Sequence, residues 1–441
     1  HWTEIGFGDG FGALDDPQDP RYGFAMSQRG YIVRWDLETG QRKDVRPVPP
    51  SDAAELRFNW NAPVAQDPFR ENTLYFGSQF VHRTTDDGES WEIVSPDLTT
   101  DSAAWQNQGQ SGGLTKDVTG AENYTTLYTI APSPVERGVI WTGSDDGKVH
   151  VTRDGGGTWT DLGDRIPGSV PEHAWVSHIE ASRFDGGTAF VAFHDYMRGD
   201  WGTYVYRVED HGEDWTRIAG EGVDGFARVL VQDPEVPELL WLGTEFGLWV
   251  TLDGGGRWTK WRHGVPTVPV RDLEVHPRDG DLVVGTHGRG AYVLDDVRPL
   301  RALSREPGLA DGLHLFAPPP AYVHEVAAPK VYRFDGDAMF SGEDAPYGAR
   351  FTFSADVPED TAEVEDGPSP TAEPGGPPGE RVPRAGEAEM EAASGDAPSG
   401  GAAAGPGRSQ GDGGAPQAVL RVLAADSVIR RADIDPCPED F

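Results

Sequence analysis

The sequence predicts an all-β chain folded as a β-propeller of about six blades, followed by a disordered acidic Pro/Gly/Ala segment and a fragment of a β-sandwich. Two observations predict the propeller. A turn motif with fixed Asp, Gly and Trp positions recurs four times. An apolar strand that ends in Ser, Thr or His recurs six times, at intervals of 42 to 66 residues. Such intervals are typical of one four-stranded blade with loops of varied length.

The turn motif occupies residues 84–91, 152–159 and 251–258, with a less regular copy at 208–215. Its Asp is expected to accept hydrogen bonds from turn amides, its Gly to supply positive φ, and its Trp to be largely buried between neighbouring sheets. Motifs of this kind are Asp-boxes, and we assign them a structural role. The residues in that role are Asp86, Trp91, Asp154, Trp159, Asp210, Trp215, Asp253 and Trp258.

The recurring strand divides the chain into a propeller over residues 1–300, a connector over 301–348 and partial sandwich strands over 349–441. Residues 357–417 contain almost no aromatic or branched apolar side chains, so they are predicted to be a disordered insertion. Residues 1–6 match the strand that follows each turn motif. They are expected either to complete the last blade or to end an earlier one.

Composition narrows the class of protein. A formal net charge of -36 opposes binding to nucleic acid or to an anionic membrane. The sequence contains no run of 18 apolar residues of the kind that spans a membrane as a helix. Its only cysteine, Cys437, precludes an internal disulfide. No signal peptide is present in this chain. The 57 Gly and 36 Pro fit a turn-rich β protein that is secreted, periplasmic or on the cell surface.

Residues 57–63, 117–123, 179–184, 243–247 and 284–290 resemble a large bacterial family of exported Asp-box propeller proteins. Members are labelled sortilin-like, BNR-repeat or glycosyl hydrolase proteins. The resemblance covers nearly all of residues 1–356, and residues 336–349 resemble the family's segment before an immunoglobulin-like sandwich. It implies an exported propeller and does not imply a settled activity.

Functional residues are expected on the axial face, which we define as the face with the turns between second and third strands and the connectors that enter the inner strands. These loops converge on the propeller axis. Aromatic side chains there, at Trp60, Tyr124, Trp175 and Phe246, suit stacking on sugars or apolar side chains. The predicted ligand-binding residues are Asn59, Trp60, Asn123, Tyr124, His178, Arg228, Glu245, His287 and Arg289.

Hydrolysis of a glycoside would need two carboxyl groups at a defined separation. The catalytic candidates are Glu245, Asp145, Asp195 and Glu180. The arginine triad that grips a carboxylate in sialidases has three candidate counterparts here, Arg29, Arg228 and Arg289. The N-terminal Arg motif of those enzymes is missing. No metal site or cofactor is predicted. A structural calcium ion at Asp145 and Asp146 is the alternative to ordinary turn capping.

Three functions follow from these features. The first is an exported binding module for a peptide, a protein or a glycan on the axial face. The second is a glycoside hydrolase, similar to xyloglucanases or sialidases, that uses paired carboxylates. The third is a structural module of a cell-surface assembly.

Overall fold

A computed structural model describes residues 4–51, 55–106, 123–321, 349–355, 419–423 and 429–433, the last two ranges by their backbone alone. Six antiparallel sheets form a six-bladed β-propeller, which confirms the fold predicted from the repeats. The predicted insertion at 357–417 and Cys437 lie outside the described residues.

Blades I to V have four strands each, in chain order. Blade I contains β1 (Gly10–Asp15), β2 (Tyr22–Ser27), β3 (Tyr31–Asp36) and β4 (Arg42–Asp44), and blade II contains β5 (Val64–Gln66), β6 (Leu74–Gly77), β7 (Val81–Thr84) and β8 (Glu92–Ile93). Blade III contains β9 (Leu127–Pro132), β10 (Ile140–Ser144), β11 (Val149–Thr152) and β12 (Thr160–Asp161), and blade IV contains β13 (Trp175–Ala181), β14 (Ala189–Asp195), β15 (Asp200–Glu209) and β16 (Asp214–Ala219). Blade V contains β17 (Ala227–Gln232), β18 (Leu240–Thr244), β19 (Gly247–Thr251) and β20 (Thr259–Trp261).

Blade VI has three strands among the described residues, namely β21 (Val270–Val275), β22 (Leu282–Thr286) and β23 (Ala291–Leu294). The N-terminal segment lies beside blade I, where Ile5 packs near Trp35 and the Arg42 Nη2 donates to the Glu4 carbonyl at 2.7 Å. No described residue of that segment pairs with β23.

The core lies between successive blades, because each central strand is covered on both faces. All five residues of strand β18 are therefore buried, and the first three are large and apolar. Its Trp241 is fully buried in a cluster with Leu282 and Val284 of blade VI. Two large side chains of this kind, Trp141 and Trp241, fill equivalent places in blades III and V.

The regular turn motifs make one repeated set of hydrogen bonds. At Asp253, Oδ1 accepts from the Thr251 hydroxyl at 2.7 Å and from the Arg257 amide at 2.9 Å. Asp86 and Asp154 make equivalent bonds. Each Trp then reaches the preceding blade, and the acceptors of the three indole N–H groups, at Trp91, Trp159 and Trp258, are the carbonyls of Val45, Val94 and Ile218.

Two expectations about the turn motifs are corrected. In the irregular copy, Trp215 donates to Gly212 of its own turn, and Asp210 is exposed, with no turn amide on its carboxylate among the bonds of the described residues. Its φ of 48° replaces the regular turn geometry. All four Trp side chains are half-buried rather than largely buried, because each lies at the edge where the outer strand starts, and no further strand of its sheet covers that strand.

Two short helices and a small sheet complete the described chain. Helix α1 (Ala103–Gln106) precedes blade III, and α2 (Arg298–Arg305) follows blade VI, so the boundary predicted at residue 300 lies within α2. The small sheet has the order β24 (His314–Leu315), β25 (Arg350–Ser354), β26 (Val419–Leu423) and β27 (Ile429–Asp433). No helix within the described ranges is long and apolar enough to cross a membrane.

Candidate functional site

A channel with a cavity of about 1040 Å³ runs along the axis, and all six inner strands contribute to its wall. Five of these strands, all except β5, carry a β-bulge near their first residue. A bulge inserts one extra residue and re-aims its side chain. The extra residues of blades III to VI, which are Tyr128, Ser177, Arg228 and Arg271, all line the channel.

A continuous row of aromatic rings crosses the axial face from blade III to blade V. Neighbouring ring centroids are 4.3 to 6.2 Å apart. We call this set the aromatic row; in spatial order it consists of Trp105, Tyr124, Trp175, His194, Tyr196, Phe226, Trp201 and Phe246. Its last two members are exposed, Trp201 by 53% and Phe246 by 42%. Their ring planes are parallel to within 10°, at a centroid distance of 6.2 Å.

Arg228 and Glu245 form an ion pair beside this row. The Arg228 Nε donates to the Glu245 Oε2 at 2.8 Å, and the Nη2 donates to the same oxygen at 2.5 Å. The guanidinium also lies 4.5 Å from the Phe226 ring centroid and 5.5 Å from that of Tyr196. Two predicted site residues are thus brought together, and each holds the other in place.

Three other predicted residues tie the loops together. Asn59 is buried, and its Nδ2 donates to the Asp145 Oδ2 at 3.0 Å and to the Thr126 hydroxyl at 3.1 Å. The Asp145 Oδ1 accepts from the Thr126 amide at 2.9 Å. Asn123 donates to the Phe58 carbonyl at 3.0 Å. Since these groups are used within the protein, Asn59 and Asp145 are not available to a ligand.

Asp145 and Asp146 are arranged as hydrogen-bond acceptors. Burial, with the neighbouring Asp146 charge, raises the pKa of Asp145 well above its ordinary range. Asp146 accepts from the Thr100 amide at 2.8 Å and from the Thr100 hydroxyl at 2.7 Å, and the Ser144 hydroxyl also donates to it. Within the part of the chain that the structure describes, no group of three or more His, Cys, Asp or Glu side chains could hold a metal ion.

The remaining predicted ligand-binding residues differ in position. His178 lines the channel, and burial lowers its pKa to about 4, so it is neutral at pH 7. His287 lines the channel and is exposed, whereas Arg289 is exposed in the same turn but outside the lining. Tyr124 belongs to the aromatic row, and burial followed by the charges of Asp145 and Asp146 raises its pKa. Trp60 is half-buried and lies outside the row.

Two carboxyl candidates remain. Asp195 is buried and accepts from the Arg198 Nε at 2.6 Å. Glu180 lines the channel, with its Oε1 3.5 Å from the Arg183 Nε. Burial raises the pKa of Glu180 to about 7, although the Arg183 charge and the Gln232 amide oppose that shift.

Sequence reasoning missed Glu274 and Arg271 of β21 and the exposed Trp201 of β15. The Glu274 Oε1 lies 3.9 Å from the Nη2 of Arg183, and burial raises the pKa of Glu274. Strand β21 reads Val-Arg-Asp-Leu-Glu-Val, in which charged residues interrupt an apolar strand. That pattern was the available signal for a charged channel wall in blade VI.

No family model matches this chain, and no curated protein matches it. Solved structures similar to it include a GH74 enzyme from Niastella koreensis, with 16% identity and a TM-score of 0.46 over 65% of this chain and 45% of that one. The GH74 xyloglucanase from Xanthomonas campestris has 18% identity and a TM-score of 0.43, over 66% of this chain and 53% of that one.

The extracellular domain of a hybrid two-component system from B. thetaiotaomicron has 12% identity and a TM-score of 0.45, over 66% of this chain and 34% of that one. The chain therefore spans about half the length of the two enzymes and about a third of the sensor domain. At these identities and scores the likeness carries no functional argument.

Proposed function

We propose that this chain is a binding module for a glycan, with the exposed end of the aromatic row, Trp201 and Phe246, as its contact surface. The observation that carries this proposal is the exposed, parallel pair of Trp201 and Phe246 at the end of the row. Exposing two large aromatic side chains next to each other costs free energy, because their apolar surface stays in contact with water. Clustered exposure of this kind is typical of an interaction site.

A glycan suits this surface better than a peptide does. Aromatic faces bind flat, weakly polar surfaces, and the C–H faces of sugar rings present such surfaces while their hydroxyls stay hydrated. The row is backed by packed blades, which hold its rings in place without a large entropic loss on binding. The resemblance to exported Asp-box propeller proteins supports a location outside the cytoplasm.

The test is binding of the purified chain to an array of neutral and acidic glycans and of peptides, followed by titration with the best ligand. Trp201→Ala and Phe246→Ala should each weaken glycan binding at least about tenfold, because one stacking contact is lost. Phe184→Ala is the matched control, since Phe184 is 43% exposed and follows β13 at the opposite end of that strand from the row. Equal affinities for all three variants, or binding of peptides alone, would contradict the proposal.

Glycoside hydrolysis is the second candidate, and the Glu180–Arg183–Glu274 cluster is the observation that favours it. One guanidinium lies within 3.9 Å of both carboxylates, so these are no more than about 10 Å apart. That bound admits the roughly 5 to 9.5 Å separation of glycosidase carboxyl pairs. With a pKa of about 7, Glu180 would be the proton donor.

Hydrolysis would be measured as the release of reducing sugar from each glycan that binds. Glu180→Gln should abolish turnover while preserving binding, because the amide cannot donate the proton. The control is Glu38→Gln, because the Glu38 side chain is 71% exposed and lies in the turn that precedes β4. Turnover that survives in Glu180→Gln would remove this candidate.

A further inference from the structure

Arg271 differs from the other arginines of the channel wall in lacking a carboxylate partner. It is exposed and lines the channel as the extra residue of the bulge in β21. Among the described residues, no carboxylate lies within ion-pair distance of its guanidinium. By contrast, Arg183 lies beside Glu180 and Glu274, and Arg228 is paired with Glu245.

Arg271 and Arg228 are equivalent residues of neighbouring blades, one bulge position in blade VI and one in blade V. Partial desolvation by the channel wall and then the positive charge of Arg228 lower the pKa of Arg271, while the Glu245 charge opposes this shift. The Glu245 carboxylate lies on Arg228, so one of the two positive charges at this end of the channel is neutralised and the other is not.

The other titratable groups near this end of the channel do not neutralise Arg271. Asp272 follows it in the chain but forms no ion pair with it, and the Asp272 Oδ1 accepts from the Leu273 amide at 2.9 Å. His178 and His194 are uncharged at pH 7, because burial lowers their pKa values to about 4 and about 3. In a chain of net charge -36, this unmatched guanidinium makes the channel mouth locally attractive to an anion.

The aromatic row passes beside Arg228, the neighbour of this position in blade V. Its member Phe226 lies under Arg228, and Trp201 and Phe246 continue the row from Phe226. Since only Phe226 separates Trp201 from Arg228, a glycan stacked on the exposed pair would reach the arginines of blades V and VI when it extends toward the axis. Arginine offers a planar pair of N–H donors that matches a carboxylate in a bidentate contact.

We propose that the ligand is an acidic glycan and that Arg271 binds the carboxylate of one of its uronic acid residues at the mouth of the channel. This inference rests on the proposed function, which it narrows from glycans in general to uronate-bearing ones. A carboxylate on an acidic peptide has the same charge, but a peptide would leave the exposed rings of the row without a matching sugar face.

The test uses the full chain titrated with a short oligogalacturonate, with its fully methyl-esterified form and with a peptide of glutamates. The free acid should bind at least about tenfold more tightly than the ester. Arg271→Ala should abolish this preference by weakening only the acid, and Arg271→Lys should restore part of it, since a point charge replaces the fork. The preference should also decline as salt is raised.

Arg262→Ala is the matched control, because Arg262 is an exposed arginine just beyond the outer strand β20. It should keep the full preference for the acid. Thermal denaturation of each variant checks that the fold is intact. Trp201→Ala should weaken acid and ester alike, and this separates the two proposals.

If acid and ester bind equally and Arg271→Ala changes neither, the uronate site is wrong while the glycan proposal stands. If no glycan binds, or if one binds and Trp201→Ala leaves its affinity unchanged, the glycan proposal fails first. Binding of the glutamate peptide through Arg271, without binding of oligogalacturonate, would assign the site to an acidic peptide and overturn the inference.

Discussion

Asp233→Ala should lower the free energy of unfolding by about 3 kcal/mol, because the buried Arg301 guanidinium then keeps only the half-exposed Glu235 carboxylate as a counter-charge and two turn amides lose their acceptor. Asp233 is fully buried and Arg301 is 3% exposed. The Arg301 Nε lies 3.0 Å from Oδ1 and 2.9 Å from Oδ2 of Asp233. This ion pair fastens α2 to the turn that follows β17.

The same carboxylate stabilises its own turn, since Asp233 Oδ1 also accepts from the amides of Glu235 and Val236 at 2.9 and 3.0 Å. Asp233→Asn keeps an acceptor for these amides and removes the charge, so it should cost less than Asp233→Ala. Urea unfolding measures both. The double variant Asp233→Ala/Arg301→Met should be more stable than Asp233→Ala, because it also removes the buried guanidinium that has lost its main partner.

The matched control is Arg278→Ala, which breaks an ion pair with Asp279 at the surface, where Arg278 is 80% exposed. A loss of under about 1 kcal/mol is expected there. If Asp233→Ala costs no more than this control, the buried pair does not stabilise the junction between α2 and the propeller.

Glu180→Gln should raise the free energy of unfolding at pH 8. Measured against the unaltered protein, the difference should be about 2 to 3 kcal/mol more favourable to the variant at pH 8 than at pH 5. The pKa of Glu180 is raised from its ordinary 4.5 to about 7, chiefly by burial. A carboxyl with a raised pKa in the folded state contributes its stability in full below pH 4.5, and this contribution is lost as the pH rises through 7. Glutamine cannot ionise, so the loss disappears.

Urea unfolding between pH 5 and pH 8 measures this effect. Burial raises the pKa of Asp272 and Glu274 as well, so some decline in stability with pH should remain in the variant. Glu38→Gln should show no such pH-dependent gain, because its carboxyl is exposed. Parallel stability curves for Glu180→Gln and the unaltered protein would show that Glu180 does not titrate as burial implies.

The fold could be predicted because its determinants are local and repeated. The turn motif at 251–258, for example, contains within eight residues the Asp acceptor, the hydroxyl donor and the glycines that its hairpin requires. Where the motif is irregular, at Asp210, the predicted bonds are missing although the strands still form. Blade number and strand order therefore follow from the repeats themselves.

The candidate site was predictable only in its placement. Arg228, Glu245, Tyr124 and His178 do lie on the axial face or along the channel, as the loop positions predict. The hydrogen-bond partners of the predicted residues were not predictable, because they come from distant parts of the chain. Asn59 donates to Asp145, 86 residues away, and Arg228 forms an ion pair with Glu245. Trp201 was missed because it lies at the start of the long strand β15, where no repeat marks it.

The sequence by itself determined the all-β architecture, the six repeats and the face on which the loops converge, since each depends on contacts within one blade. Only the tertiary structure decided which polar groups are used up inside the protein and which face the channel. The bulges that turn Arg228 and Arg271 inward depend on pairing with the second strand of each blade. Glu245 pairs with Arg228 and not with Arg271, because its loop reaches only the former. Neither the bulges nor this pairing could be predicted from the local sequence.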